Sequence, residues 1–166
     1  MESHAILAEI PRLRRYARAL LGDRAAADDL VQDTLERAWS RFHQWQAGSD
    51  MRAWLFGIMH NLRVDQLRRP RLPTHSIDED DSDVPTRATQ NDGLELRDLA
   101  SALGHLPDEQ REVLLLVALE EMSYADIAAT LDIPIGTVMS RLSRGRERLR
   151  SIMEGQPQTA NLKVVR

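Results

Sequence analysis

The stretch SYADIAATLDIPIGTVMSRLSRGRERLR occupies residues 123–150 and predicts two helices joined by a sharp turn. Ser123 is suited to cap the first helix, because its hydroxyl oxygen can accept a hydrogen bond from a backbone amide of the first turn. Ile127 and Leu131 follow at helical spacing and predict a buried stripe. Pro134 ends this helix, since proline has no amide hydrogen and disfavours helical geometry in the preceding residue, and it suits the start of a new helix. This order of elements is typical of a helix-turn-helix.

The second helix of this stretch has an apolar face and a polar face. The apolar seam predicted to pack on the first helix consists of Val138, Leu142, Gly145 and Leu149. The polar face carries small or hydroxylated residues near the helix start and guanidinium groups beyond them, which suits a helix that enters a major groove. A solvated arginine-rich helix with no DNA partner is the alternative. The residues of this polar face are Gly136, Thr137, Ser140, Ser143 and Arg144, and Arg141 lies on its flank.

Composition and length limit the classes of protein that fit this chain. Its 166 residues suit one medium domain or two small ones. The absence of cysteine excludes a disulfide framework and thiolate metal sites. The apolar run at 113–119 is too short to span a bilayer and no signal peptide is recognisable, so we expect a soluble cytoplasmic protein. The five histidines lack metal-ligand spacing and no nucleophile–base pair is suggested, so we predict no cofactor, no metal and no catalytic residue.

Charge is distributed unevenly along the chain. The net charge of −4 argues against indiscriminate nucleic-acid binding, yet residues 1–71 hold 12 basic and 9 acidic side chains whereas residues 72–98 hold 2 and 8. The acidic segment contains two prolines and little apolar content, so it cannot bury enough surface to fold alone and is predicted to be a flexible linker. The predicted organisation is a first domain at 1–71, a linker at 72–95, a second domain at 96–153 and a flexible tail at 154–166.

The first domain is predicted to be entirely helical. Apolar residues recur at helical spacing up to Leu21, and Gly22 is suited to close that helix. A second helical pattern carries several carboxylates on its polar faces, and a loop at 43–50 ends in a candidate N-cap at Ser49 or Asp50. Together with the helix-turn-helix, these patterns predict an all-α fold of two small helical domains.

The helix that starts near Met51 carries an unusual second face. Opposite the apolar residues of this helix, Phe56 stands among the basic side chains of Arg52, His60 and Arg63. An aromatic ring among cations is suited to single-stranded nucleic acid, because bases stack on the ring and cations follow the backbone. The alternative is that Phe56 packs against a neighbouring helix and the arginines are solvated.

Three stretches in this order closely resemble the extracytoplasmic-function sigma factors, which are two-domain bacterial transcription initiation factors. The stretches are DDLVQDTLERAW at 28–39, AWLFGIMHNLRVDQLRR at 53–69, and LPDEQREVLLLVALEEMSYADIAATLDIPIGTVMSRLSRGRERL at 106–149. The resemblance covers roughly residues 5–153. It implies three partners: core RNA polymerase, through its β′ clamp helices and β flap, promoter DNA, and an anti-sigma factor.

The resemblance also implies three binding surfaces. The surface for the polymerase clamp helices would comprise Asp29, Leu30, Val31, Gln32, Asp33, Glu36 and Arg37, whose carboxylates would pair with polymerase arginines. The surface for the unpaired strand of the −10 element would comprise Arg52, Trp54, Phe56, His60, Asn61, Arg63, Arg68 and Arg69, with Asn61 near the pocket for an extruded base. The surface for the −35 duplex would comprise Gly136, Thr137, Met139, Ser140, Arg141, Ser143 and Arg144. Many relatives carry a basic residue at the position of Met139 and a bulky one at that of Ser143.

Other functions fit parts of the same sequence. Asp28, Asp29 and Asp33 could hold Mg²⁺ in an enzyme that activates diphosphates, although no second acidic motif lies on another helix. A conventional helix-turn-helix regulator would not need the second face of the 51–69 helix. A sigma-like decoy that sequesters an anti-sigma factor would be expected to lose the groove-facing residues, all of which are present.

Overall fold

Seven α-helices make up the computed structural model, which describes residues 3–69 and 90–155 and contains no strand within those ranges. The helices are α1 Ser3–Leu21, α2 Arg24–Ser40, α3 Met51–Arg68, α4 Gln90–Gly104, α5 Asp108–Ala118, α6 Tyr124–Leu131 and α7 Ile135–Met153, with a 3₁₀ turn at Phe42–Gln44 between α2 and α3. The predicted all-α fold is confirmed. Within the described ranges, no helix combines the length and the apolar character that a membrane span requires.

Helices α1, α2 and α3 pack together as the first domain. Gly22 takes a left-handed conformation at φ 72° and ends α1 as predicted, since glycine adopts this conformation without a steric penalty. Asp23 caps α2 by accepting a hydrogen bond from the Ala25 amide, and Asp50 caps α3 by accepting from the amides of Arg52 and Ala53. The fully buried side chains at the centre of this bundle include Leu13, Leu20, Leu30, Leu55 and Met59.

The second domain is built around α5, which packs along α7. Gly145 of α7 lies at this contact, where a Cβ would be 3.4 Å from the carbonyl oxygen of Gln110, at the near limit of ordinary van der Waals contact. Helix α5 ends at Ala118, one residue before the end of the apolar run at 113–119, and Glu121 adopts a left-handed backbone at φ 52° in the turn that follows. Buried residues of this domain include Val113, Leu116, Ile127, Leu131, Val138 and Leu142.

The two domains pack directly against each other. Helix α3 lies against α6, and α1 lies against α4 and α5, so the apolar cores of both domains form one cluster. Helix α4 begins at Gln90, within the range 72–95 that is predicted as linker, and the boundary between linker and second domain stays a prediction. The rest of the predicted linker, 72–89, and the tail from residue 156 lie outside the described residues.

Candidate nucleic-acid and polymerase interfaces

Helices α6 and α7 form the predicted helix-turn-helix. The Ser123 hydroxyl oxygen accepts a hydrogen bond from the Asp126 amide at 3.1 Å, which confirms the predicted cap. Asp132 closes α6 in a left-handed conformation at φ 55° and donates its amide hydrogen to the Ala128 carbonyl. Aspartate tolerates this conformation better than most residues other than glycine. Pro134 then occupies the N-cap of α7 with an extended backbone, and the turn is sharp as predicted.

The polar face of α7 is open over most of its length. The exposed residues of the predicted reading set are Gly136, Met139, Ser140, Ser143 and Arg144. Thr137 and Arg141 are half-buried, and the Arg141 guanidinium lies 3.7 Å from the carboxylate of Glu109 on α5. The helix therefore presents small and hydroxylated groups near its start and an exposed Arg144 one turn on, which is the arrangement that a major groove accepts.

The acidic face of α2 is also open. The side chains of Asp29, Gln32, Asp33 and Glu36 are exposed, and the Gln32 amide nitrogen lies 3.5 Å from a Glu36 oxygen. Carboxylates in this position are suited to pair with guanidinium groups of a partner. Arg37 is half-buried at the edge of this face.

Two members of the predicted polymerase surface do not lie on it. Leu30 is fully buried and Val31 nearly so, because their positions on α2 face α1 and α3 in the core of the first domain. Apolar side chains in the centre of a bundle stabilise it but cannot contact a partner. The prediction that Leu30 and Val31 contact the polymerase is therefore wrong for their side chains.

The predicted strand-binding face of α3 is only partly exposed. Asn61, Arg68 and Arg69 are open to solvent. Arg52, Trp54, His60 and Arg63 are half-buried. The chemistry of the face is as predicted, a group of basic side chains beside an amide and an aromatic ring, but much of it is covered.

Phe56 departs furthest from the prediction. Its side chain is 2 % exposed, and its ring meets the Tyr16 ring of α1 edge-on, with centroids 4.9 Å apart. The expectation of an exposed aromatic that stacks on a base is therefore wrong in this arrangement. The alternative, in which Phe56 packs against a neighbouring helix, is the one that the structure contains.

Acidic groups of the second domain cover the half-buried basic residues of α3. The Nδ1 atom of His60 lies 2.5 Å from Glu112 Oε1, and Arg63 donates to Asp108 Oδ1 at 3.0 Å and 3.3 Å. Arg52 donates to the backbone carbonyl of Glu120 at 2.9 Å. Each contact joins a residue of the first domain to one near or on α5.

Arg111 ties the two domains together from another side of α5. Its guanidinium donates to the carbonyl oxygens of Leu103 and Leu106 at 2.7 Å each, and also to that of Leu20 at the end of α1. These acceptors lie at or just beyond helix ends, where carbonyl groups have no partner in their own helix. Burial lowers the pKa of Arg111 below its ordinary value, while the negative charge of Asp108 opposes this shift.

Tyr16 lies beneath the same group of carboxylates. Burial raises its pKa well above the ordinary value of 10.0, and the negative charges of Glu112, Asp108 and Glu120 raise it further. An ionised phenol at this place would be poorly hydrated and would face like charges, so the neutral form is strongly favoured.

Sequence patterns do not identify the acidic residues that cover α3. They place Asp108 only at the start of a helix, and they assign Glu112 and Glu120 to no site. The spacing of the charged residues could have suggested the contact. Asp108 and Glu112 are four residues apart and lie on one face of their helix, and His60 and Arg63 are three apart on one face of α3. An acidic pair and a basic pair with such similar spacing can form two ion pairs when the helices pack. Only the packing of the domains shows that these two faces meet.

The architecture and surfaces define a two-domain DNA-binding protein with a helix-turn-helix in its second domain. The chain matches the family described as the Sigma2 domain of PhyR over residues 6–60 and the family described as Sigma-70, region 4 over residues 96–149. It is 38 % identical over 149 residues to the ECF RNA polymerase sigma factor EcfG of Rhodopseudomonas palustris, a match that covers 89 % of this chain and 82 % of that protein. The chain therefore belongs to the ECF RNA polymerase sigma factor family, the class of transcription initiation factor that its three motifs resemble.

Two solved structures share this fold over nearly their whole length. The sigma factor RpoE of Bartonella quintana, in complex with the anti-sigma factor NepR, aligns with a TM-score of 0.71 at 32 % identity and covers 99 % of this chain and 98 % of that one. The protein CnrH, in complex with the cytosolic domain of CnrY, aligns with a TM-score of 0.68 at 28 % identity, covering 93 % and 88 %.

Proposed function

We propose that this chain, as an ECF sigma factor, binds core RNA polymerase and directs transcription from specific promoters by reading a −35 duplex and holding a melted −10 strand. The observation that carries this proposal is the open polar face of α7, seated on an intact helix-turn-helix. A helix with Gly136 and Ser140 near its start can approach base edges closely, and Arg144 can form bidentate hydrogen bonds with guanine or phosphate.

The proposed polymerase surface is the exposed acidic face of α2. Asp29, Gln32, Asp33 and Glu36 supply acceptors for guanidinium groups, and this is the charge pattern expected for docking on the clamp helices of the polymerase. The face lies on the far side of α2 from the domain core, so a partner could bind there without disturbing the bundle.

The proposed −10 surface is α3, with Asn61, Arg68 and Arg69 as its open members. Arg52, Trp54, His60 and Arg63 would join them once the second domain moves away. Cations along a helix suit the phosphates of an unpaired strand, and an exposed amide such as Asn61 suits the edge of an extruded base. Phe56 would support this face from beneath by packing on Tyr16.

We also propose that an anti-sigma factor holds this chain in the cytoplasm. The support is the likeness to the Bartonella quintana sigma factor, whose structure was solved with an anti-sigma factor bound. The partner would be expected to occupy faces that polymerase or promoter DNA need.

Run-off transcription tests the proposed function. Purified chain and sigma-free core polymerase would be mixed with a genomic library, and the transcript start sites sequenced. We expect start sites that share two upstream elements and that are used less efficiently by the Arg144→Ala variant. Start sites identical to those of core polymerase alone would contradict the proposal, and binding of an anti-sigma factor without any transcript would indicate a decoy instead.

A further inference from the structure

Two large apolar side chains stand exposed in the first two turns of α7. Ile135 is 47 % exposed and Met139 is 49 % exposed. They are four residues apart, so they are neighbours on one side of the helix. Val138 and Leu142, by contrast, are buried in the core of the second domain. Packing within the domain therefore does not account for Ile135 and Met139.

Both side chains lie at the end of α7 that a major groove would receive. Ile135 is the first residue of the helix. Gly136 and Ser140 of the polar face directly follow Ile135 and Met139 in the chain, and both are exposed. The first residues of a recognition helix are the ones that reach base edges. The apolar pair is therefore continuous with the surface proposed to read the −35 duplex.

An open groove lies beside Met139. It has a volume of about 500 Å³, and its lining includes Tyr124 at the start of α6 and Leu142 and Ser143 of α7. A rotation of about 100° per residue places Met139 between the buried Leu142 and the exposed Ser143 around the helix. Because Ser143 is small it leaves this space free, and the unbranched side chain of Met139 can adapt to a group that enters it.

The major groove offers one apolar group to such a pair. The base edges there carry hydrogen-bond donors and acceptors, and the C5 methyl group of thymine is the exception. Contact between this methyl group and Ile135 or Met139 removes apolar surface from water, which is favourable. Contact with a polar base edge would instead cover donors or acceptors that these two side chains cannot satisfy. The chemistry of the pair therefore favours thymine over the other bases.

We propose that Ile135 and Met139 select thymine in the −35 element through its C5 methyl group. This inference rests on the proposed role of α7 and adds a base preference to it. The −35 element contains a thymine, on one strand or the other, at the position that the start of α7 meets. The methyl group of this thymine, and not its hydrogen-bonding edge, carries the preference.

Replacement of thymine by deoxyuridine tests the inference, because it removes the methyl group and keeps every hydrogen-bonding group of the base. The chain assembled with core polymerase would be titrated against a labelled promoter fragment mapped by run-off transcription, with each thymine of the −35 element replaced in turn. Fluorescence anisotropy at fixed salt would measure the affinity, since phosphate contacts depend on salt. We expect at least one replacement to weaken binding about three- to fivefold, as for one methyl group left in water. The same replacement at thymines outside the two promoter elements should have no effect.

Two substitutions at Met139 separate an apolar contact from mere occupation of space. Met139→Leu keeps an apolar side chain and should keep the preference for thymine over deoxyuridine. Met139→Gln has a similar length but a polar end, and it should bind both fragments equally. The matched control is Met153→Gln, which makes the same change at an exposed position at the far end of α7 and should keep the preference. Circular dichroism would verify that each variant is folded.

The outcomes distinguish this inference from the proposed function. A −35 element without thymine on either strand, or equal binding of all deoxyuridine fragments by the parent chain, would overturn the inference while promoter-specific transcription continues. A preference that survives in Met139→Gln would also overturn it, because the methyl group would then be read by another residue. Absence of promoter-specific transcripts from the parent chain would remove the proposed function itself, and the inference with it.

Discussion

The Phe56 ring of α3 meets the Tyr16 ring of α1 edge-on, with 4.9 Å between centroids and 72° between ring planes. Both side chains are almost completely buried, and they lie directly beneath the carboxylates that the second domain brings to α3. An aromatic pair in this geometry contributes packing and a favourable edge-to-face interaction. The pair therefore supports the interface between the domains as well as the core of the first one.

Phe56→Ala should lower the free energy of unfolding by about 3–5 kcal/mol, the range for removing a buried phenylalanine side chain. Urea denaturation followed by circular dichroism would measure this loss. Trp39→Ala is the matched control, because Trp39 is an aromatic residue with 62 % of its surface exposed and its replacement should change stability little. A small loss for Phe56→Ala would mean that the ring is not part of the core in solution.

Tyr16→Phe should reduce the loss of unfolding free energy that accompanies a rise in pH above 10. The pKa of Tyr16 is raised in the folded protein, so the unfolded chain loses the phenolic proton first as the pH rises. The stabilisation is complete below the unfolded pKa of 10.0 and is lost as the pH increases above it towards the folded value. Unfolding free energies of both proteins, measured below and above pH 10, should diverge only at the higher pH; parallel profiles would show that Tyr16 is not buried beside the carboxylates.

Arg144→Ala should weaken binding of the −35 duplex by about 1–3 kcal/mol, the discrimination expected for one bidentate arginine contact. Arg146→Ala is the control, since Arg146 is an exposed arginine of the same helix that lies at the edge of the proposed reading face beside Met139 and Ser143 and is not itself in the proposed reading set. Anisotropy with duplex DNA at fixed salt would compare the two. Equal losses would indicate contact with phosphates by the whole helix rather than base reading by Arg144.

Asp33→Arg should prevent assembly with core polymerase, because a guanidinium would then face the cationic groups that the acidic face of α2 is proposed to bind. Co-elution with core polymerase in size-exclusion chromatography would measure assembly. Glu95→Arg makes the same charge change at an exposed position of α4 and should leave co-elution intact. Normal assembly of Asp33→Arg would place the docking surface elsewhere.

The helix ends are predictable from local signals. Gly22, Ser123 and Pro134 set the boundaries of their helices because capping and proline chemistry involve only neighbouring residues of the chain. The polar face of α7 is predictable for the same reason, since helical periodicity places its residues without knowledge of any other element.

The exposure of α3 is not predictable in this way. Periodicity separates its apolar face from its basic face, but it cannot show that Tyr16 receives Phe56 or that the second domain covers Arg52, His60 and Arg63. The same is true of Leu30 and Val31 on α2. The resemblance assigns all the matching residues of this helix to the polymerase surface, and only the packing of the domain shows that these two side chains are buried while the carboxylates are exposed.

Spacing and residue type were enough to predict the two helical domains, the helix-turn-helix and the chemical character of each binding face, because these properties are local to the chain. Which of those faces is open depends instead on how the domains pack. The partners of the basic residues of α3 stand 45 to 68 positions away along the chain, beyond the reach of any local pattern, and they are brought to α3 only when the domains come together.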